Sequence, residues 1–202
     1  MIAPMNQTER RQQIVQAIRD DDDEAAENAV HGLLPEDEPW LLEMAASADS
    51  NRRWWAVRAL AFCGSAACVS AVSTALDDTD SSVRAVGVLA LAHLHARVPE
   101  AIQPLLPSMA ALLADDDGST RQIATDALAM CGDDAVDALA DVLDGGPESA
   151  RGRATTALRK IGTMKAAGIL FRYLNDPNYL VSSYAYEALD EMGLLETTLL
   201  IL

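Results

Sequence analysis

The feature that most constrains the fold is a repeat of about 31 residues that runs through most of the chain. Five segments align on the residue that ends each of them: RWWAVRALAFCG (53–64), RAVGVLALAHLH (84–95), RQIATDALAMCG (121–132), RGRATTALRKIG (151–162) and SSYAYEALDEMG (182–193). Successive end positions are 31, 37, 30 and 31 residues apart, so the second repeat carries an insertion, around HARVPEAIQP. A period of this length is typical of helical-repeat proteins, in which each unit buries its apolar face against the next.

The aligned segments repeat small side chains and leucine at the spacing of one helix face. Two columns of alanine or glycine lie three residues apart, and a leucine column directly follows the second. This spacing predicts an α-helix, and a second apolar segment after each one predicts a helical hairpin. The columns are Ala56, Gly87, Ala124, Ala154 and Ala185; Ala59, Ala90, Ala127, Ala157 and Ala188; and Leu60, Leu91, Leu128, Leu158 and Leu189.

Polar residues mark the start of each first helix. An Asp or Asn lies four residues before a column of arginines, where its side chain suits the N-cap position and accepts hydrogen bonds from free helix N–H groups. The predicted caps are Asp49, Asp80, Asp117 and Asn178, with Pro147 as the exception. The arginines are Arg53, Arg84, Arg121 and Arg151, and Ser182 occupies the fifth position.

The spacing D-x-x-x-R, followed by AL and a glycine at the helix end, resembles the HEAT-repeat superfamily. It is most similar to the short repeats of the phycobilin lyases. The resemblance implies an all-α fold, a right-handed α-α superhelix (α-solenoid) of five to six helical hairpins. It also implies a structural ladder between repeats, formed by the arginine column with Asp49, Asp80 and Asp117. The alternative is that these arginines form an anion-binding stripe.

The repeat pattern also predicts the domain organisation. We expect a single repeat domain over 1–202, with an N-terminal cap and degenerate repeat at 1–48 and regular repeats over 49–193. The remaining residues, 194–202, read as an incomplete last helix that is very apolar. This segment either closes over the last repeat, mediates a homodimer, or is the start of a longer helix.

The charge balance excludes several classes of partner. The net charge is −16, whereas phosphate binding requires clustered Lys and Arg, so we expect neither nucleic acid nor an anionic membrane surface as a partner. No apolar run is long enough for a transmembrane helix, and no signal peptide is apparent. Three cysteines without metal-site spacing (Cys63, Cys68 and Cys131) indicate reduced core thiols and a cytoplasmic location. High Asp with only two lysines is typical of halophile proteins.

The sequence offers no arrangement typical of catalysis, a metal or a cofactor. His93 and His95 point to different sides of a regular helix, because residues two apart are separated by about 200°. No Ser or Cys has a partner at the spacing of a nucleophilic site, and runs such as DDDDE at 20–24 read as solvated turns. We therefore predict a non-enzymatic protein with no cofactor.

The remaining hypothesis is a protein-protein interaction scaffold that binds a partner segment on the concave face formed by the second helices. The alternative is a chaperone or enzyme of cofactor attachment similar to the phycobilin lyases. The candidate partner-binding residues combine aromatic and charged side chains at predicted surface positions: Trp54, Asp133, Asp137, Asp141, Lys165, Arg172 and Tyr186.

The acidic composition makes a prediction about salt. Repulsion between carboxylates opposes folding, and molar salt shortens the screening length to about 3 Å. We expect the melting temperature, followed by circular dichroism, to rise as KCl is added to the molar range. A melting temperature that stays constant or falls across the KCl series would contradict the halophile interpretation.

Overall fold

The computed structural model describes residues 5–195, and within that range every regular element is helical. The predicted all-α fold of helical hairpins is confirmed. Short 3-10 turns continue or precede several of the helices. The α-helices are α1 (Gln7–Arg19), α2 (Asp23–His31), α3 (Glu38–Ala45), α4 (Ser50–Cys63), α5 (Val69–Thr74), α6 (Ser81–His95), α7 (Pro99–Ile102), α8 (Leu106–Ala111), α9 (Gly118–Met130), α10 (Val136–Gly145), α11 (Glu148–Ile161), α12 (Met164–Leu170) and α13 (Tyr179–Glu191).

The chain divides into two compact units, Met1–Ile102 and Gln103–Leu202. In the first unit α4 packs against both α3 and α6, and α1 packs against α2. In the second unit α11 packs against α9, α10 and α13. The boundary falls inside the insertion that follows His95. A single domain over the whole chain stays a prediction, and most of the segment 194–202 lies outside the described residues.

The side-chain caps predicted from the sequence are confirmed. Carboxylate oxygens of Asp49, Asp80 and Asp117 accept hydrogen bonds from helix N–H groups at 2.9, 2.9 and 2.7 Å. The Asn178 side chain accepts from the N–H of Leu180 at 2.9 Å. Pro147 stands at the same position before α11 and makes no side-chain cap. Each such cap stabilises its helix by about 1 kcal/mol.

The repeated columns form the core of each unit. The five leucines of the leucine column are each 0% exposed, and the alanines beside them are buried. Small side chains allow the close approach of neighbouring segments, which is clearest at Gly87. A Cβ added there would lie 2.9 Å from the Cβ of Ala75, so the backbone of α6 approaches the turn after α5 more closely than alanine allows.

Most of the first helices end at a glycine in the left-handed region, where residues with a Cβ are strained. Gly132, Gly162 and Gly193 have φ angles of 60°, 64° and 68°. Two repeats differ: Gly64 of the first repeat has an extended backbone with a φ of −70°, and in the second repeat His95 occupies the glycine column and is the last residue of α6. There the next residue, Ala96, keeps a right-handed φ of −62°, and the chain continues into the insertion.

Two further sequence expectations concern the membrane and the cysteines. Among the described residues, none of the helices combines the length and the apolar character needed to cross a bilayer. The cysteines are free thiols, with Cys68 and Cys131 buried and Cys63 half-buried. Burial raises the pKa of Cys63 and Cys68 to about 11 and that of Cys131 to about 12, so all three are protonated near neutral pH.

The leucine column makes a stability prediction. Leu128→Ala removes a side chain that is 0% exposed, and we expect the free energy of unfolding to fall by about 2–5 kcal/mol, because a cavity remains. Urea denaturation measures this change. Met130→Ala on the same helix is the matched control, since Met130 is 50% exposed and its truncation should change stability by less than about 0.5 kcal/mol.

Candidate partner-binding surface

A pocket in the first unit lies along the N-terminal parts of three successive first helices. Its volume is about 500 Å³. The lining residues come from α2, α4 and α6, which are the first helices of three consecutive repeats. The lining residues are Asp23, Glu27, Ser50, Asn51, Trp54, Trp55, Asp80, Ser82 and Val83. We call this cavity the Trp54 pocket.

Helix geometry explains why these residues meet. Asp23 and Glu27 are four residues apart on α2 and therefore share one face, as do Ser50 and Trp54 on α4. On α6 the lining residues come from the cap and the first turn, which begins with Asp80. A register of about 31 residues places equivalent turns of consecutive helices side by side, so one small patch from each helix builds the pocket.

Two indole rings form the apolar part of the Trp54 pocket. The Trp54 and Trp55 ring centroids are 4.7 Å apart, and the planes meet at 78°. Trp55 is 4% exposed and belongs to the core. Trp54, which the sequence places at a surface position, is half-buried.

The polar part of the Trp54 pocket is acidic. Its lining contains three carboxylates and no Lys or Arg. Hydrogen bonds from the Ser50 hydroxyl and the Ser82 N–H lower the pKa of Asp80, so Asp80 is ionised near neutral pH. Glu27 holds the guanidinium of Arg58 on α4, with N–O distances of 2.5 and 3.2 Å. Asp23 is exposed at the first turn of α2.

A second cavity in the first unit has a different character. It encloses about 400 Å³, and its lining includes Trp40, Glu43, Arg19 and Arg52. The two arginines give this cavity a mixed charge. The acidic character of the Trp54 pocket is therefore a local property, which the net charge of the chain does not impose on every cavity.

The residues predicted on the second helices lie in the second unit. Asp133, Asp137 and Asp141 are exposed, the first in the 3-10 turn before α10 and the others on α10 itself. The Nζ of Lys165 on α12 lies 3.0 Å from an Asp137 carboxylate oxygen and also 3.0 Å from the Asp133 carbonyl oxygen. Lys165 therefore contacts two other predicted residues, Asp137 through its carboxylate and Asp133 through its backbone carbonyl, and the role of all three in binding a partner stays a prediction.

The other two predicted residues are surface residues without an acidic partner in the described contacts. Arg172 is exposed, and its guanidinium lies 5.8 Å from the ring centroid of its neighbour Tyr173. Tyr186 on α13 is 57% exposed. Neither residue lines a described pocket, so their role in binding a partner stays a prediction.

The arginine column makes two kinds of contact. Through Nη1, Arg53 donates to the carbonyl oxygens of Ser47 and Ala48 at 3.0 and 3.1 Å, in the loop before its own helix. The Nη1 of Arg84 and of Arg121 contacts the equivalent carbonyls of their own loops. Arg151 instead donates from Nε to the Leu143 carbonyl at 2.9 Å, because the loop around Pro147 differs.

The second kind of contact reaches the next repeat. Arg53 makes two hydrogen bonds of 2.7 Å to Asp78, and Arg151 contacts Asp176 at 2.5 Å. Both acids are 25 residues beyond their arginine and two residues before the cap residue. The resemblance implied that the ladder acids are Asp49, Asp80 and Asp117. These three carboxylates cap their own helices, whereas Asp78 and Asp176 accept the hydrogen bonds from the arginines, so a ladder role of the three cap residues stays a prediction.

The arrangement that sequence reasoning missed is therefore an Asp two residues before the cap. Asp78, Asp115 and Asp176 each accept a hydrogen bond from the N–H of the cap residue, at 2.9, 2.8 and 2.9 Å. The signal was present in the sequence as D-x-D at 78–80 and 115–117 and D-x-N at 176–178. An Asp in a loop is usually solvated, so its residue type alone does not indicate a contact. The constant separation of 25 residues from Arg53 and from Arg151 is the signal that identifies Asp78 and Asp176 as their partners.

Two of the three histidines, His31 and His93, contact the ring of Phe62 in the first unit. Phe62 lies between His31 and His93, with ring centroids 4.9 and 6.1 Å away. The guanidinium of Arg58 lies over the Phe62 ring at 4.5 Å. Within residues 5–195, no three His, Cys, Asp or Glu side chains are grouped as a metal site requires.

Fold and surface together define the class: this is an all-α helical-repeat protein. The family model described as HEAT repeats matches residues 38–129, and the predicted resemblance to HEAT repeats is confirmed. No curated protein matches the chain in sequence.

Solved structures show the same fold. The YibA protein of Escherichia coli has a TM-score of 0.62 and 16% identity, covering 96% of this chain and 74% of YibA. The complex of CpcE and CpcF of phycocyanin lyase from Nostoc sp. PCC7120 has a TM-score of 0.51 and 24% identity, covering 79% of this chain and 65% of that chain. An engineered protein has a TM-score of 0.50 and 21% identity, covering 94% and 97%.

The contact between Arg53 and Asp78 makes a pH-dependent prediction. The Arg53 guanidinium is the largest cause that lowers the pKa of Asp78 below its ordinary 3.8. The pair therefore stabilises the protein above pH 3.8, and this contribution is lost as the pH falls through the lower folded value. We expect Arg53→Gln to reduce the free energy of unfolding by about 1.5–3 kcal/mol at pH 7, and the deficit to shrink below pH 3.8.

Urea denaturation of both proteins from pH 7 to pH 2.5 measures the deficit. Arg52→Gln is the matched control, since Arg52 is the adjacent residue and its nearest acid, Asp49, lies 4.0 Å away on an exposed surface. A deficit that is the same at every pH would assign the effect of Arg53→Gln to the carbonyl contacts alone.

Proposed function

We propose that the protein is a non-catalytic interaction scaffold that binds a segment of a partner protein at the Trp54 pocket. The observation that carries this proposal is a cavity of about 500 Å³ with a half-buried tryptophan at its rim. Tryptophan is enriched among the residues that dominate binding energy at protein interfaces. The volume lies in the range of about 300–1,000 Å³ that ligand sites occupy.

The composition of the pocket supports binding rather than catalysis. Its titratable groups are the carboxylates of Asp23, Glu27 and Asp80, and no His, Cys, Lys or Tyr side chain lines it. Two of the three carboxylates already serve the fold: Asp80 caps α6, and Glu27 pairs with Arg58.

The second helices remain a further surface for the same function. The exposed carboxylates of Asp137 and Asp141 on α10 are the predicted residues that fit it. An exposed ion pair such as the one between Lys165 and Asp137 contributes about 0–1 kcal/mol, so a partner's charge can replace it at little cost.

The structural similarity to phycocyanin lyase favours a second candidate, a role in cofactor attachment. Linear tetrapyrroles carry carboxylate side chains, which the three carboxylates of the Trp54 pocket repel. For this reason we rank the interaction scaffold first. Visible absorbance of the protein purified from its own organism discriminates the two, since a chromophore that copurifies supports the cofactor role.

The experiment that tests the scaffold is quantitative affinity purification from the native organism with the intact protein and with Trp54→Ala. We expect Trp54→Ala to reduce the recovery of a specific partner about ten-fold or more, the effect of losing an aromatic anchor. Circular dichroism and a urea curve confirm that the variant is folded.

Tyr186→Ala is the control for the loss of an aromatic surface residue outside the pocket, because Tyr186 is 57% exposed on α13. Equal recovery with Trp54→Ala and wild type would remove the pocket from the proposal. Loss with Tyr186→Ala alone would transfer the function to the second unit.

A further inference from the structure

We infer that the Trp54 pocket binds a cationic side chain of the partner, an arginine or a lysine, between its carboxylates and its indole rings. The inference rests on the proposed function and deepens it, because it names the chemistry of the segment that the scaffold recognises.

Charge complementarity is the first argument. Asp23, Glu27 and Asp80 come from the starts of two helices and from the second turn of α2, so they surround the cavity from different elements. The lining residues include no Lys or Arg, and since Glu27 already pairs with Arg58, Asp23 and Asp80 are the carboxylates that face a partner's cation. A cleft with one sign of charge and partly apolar walls attracts the opposite charge and raises its local concentration.

The aromatic wall is the second argument. An indole face attracts an ammonium or guanidinium group by about 0.5–2 kcal/mol, more as the pair is desolvated. Trp54 is half-buried and supplies the accessible indole, and Trp55, which is 4% exposed, packs against it with the ring planes at 78°. A neutral apolar side chain would gain from the rings but would desolvate the carboxylates without compensation.

The protein itself uses the same recognition twice within the first unit. The guanidinium of Arg58 lies between the Glu27 carboxylate and the Phe62 ring, at the edge of the Trp54 pocket. The guanidinium of Arg11 donates to Asp37 at 2.8 Å and lies 5.4 Å from the Trp40 ring centroid. In both places a carboxylate and an aromatic ring hold one arginine, and the Trp54 pocket has these groups with no arginine among its lining residues.

The test uses two small probes of nearly the same shape: the cationic Nα-acetyl-arginine amide and the neutral Nα-acetyl-citrulline amide, in which a carbonyl oxygen replaces one guanidinium nitrogen. The protein is labelled with 5-fluorotryptophan, which gives separate ¹⁹F resonances for Trp40, Trp54 and Trp55. Trp54→Phe assigns the resonance of Trp54. We expect the arginine probe to shift this resonance saturably, with a Kd at least ten-fold lower than that of the citrulline probe.

Matched charge variants locate the site. Asp23→Asn removes an exposed pocket carboxylate, and we expect the Kd of the arginine probe to rise at least three-fold. Asp141→Asn makes the same charge change at an exposed position in the second unit and should leave the Kd unchanged. Equal affinities for the two probes, or equal effects of the two variants, overturn the inference.

The outcomes separate this inference from the proposed function. If Trp54→Ala loses the native partner while the arginine and citrulline probes bind alike, the scaffold stands and the cationic recognition is wrong. If the arginine probe binds selectively while Trp54→Ala keeps its partner, the cation site stands and the proposed function is wrong.

Discussion

The packing of alanine and leucine columns between neighbouring helices is the constraint on which the rest of this structure depends. A helix such as α9 carries few large apolar side chains, and its buried face is built from Ala124, Ala127 and Leu128. Such a face buries little area alone, so it becomes stable only when adjacent helices approach closely. Close approach in turn requires small residues at the contact, and Gly87 beside Ala75 is the extreme case. The recurrence of small residues and leucine at the same positions of each repeat follows from this requirement.

Close packing also places charged groups of consecutive first helices within reach of each other. Arg58 on α4 pairs with Glu27 on α2, and in the second unit Arg159 on α11 pairs with Glu191 on α13. These pairs are 31 and 32 residues apart, close to the period of the repeat. The loop contacts of Arg53 with Asp78 work in the same way at the starts of the helices. The ion pairs therefore recur along the chain with nearly the same period as the apolar contacts.

Features that recur in every repeat can be predicted from the sequence, whereas contacts that depend on single positions cannot. The helices, the leucine core and the caps at Asp49 and Asp80 follow from columns that can be aligned. The partner of Arg53 cannot be predicted in this way, because Asp78 and Asp80 are both aspartates in the same loop. The structure shows that Asp78, 25 residues after Arg53, accepts its hydrogen bond. The Trp54 pocket is missed for a related reason. Two of its carboxylates come from the degenerate repeat, where no column exists, and Asp23 belongs to a run that reads as a solvated turn.

The charge balance explains why recognition by carboxylates suits this chain. It has 15 Lys and Arg against 31 Asp and Glu, so pairing each cation with one carboxylate leaves 16 carboxylates over. Both lysines, Lys160 and Lys165, already pair with acids of α9 and α10 at the surface. A partner with basic side chains meets the larger number of carboxylates, and at the Trp54 pocket it also meets an aromatic surface.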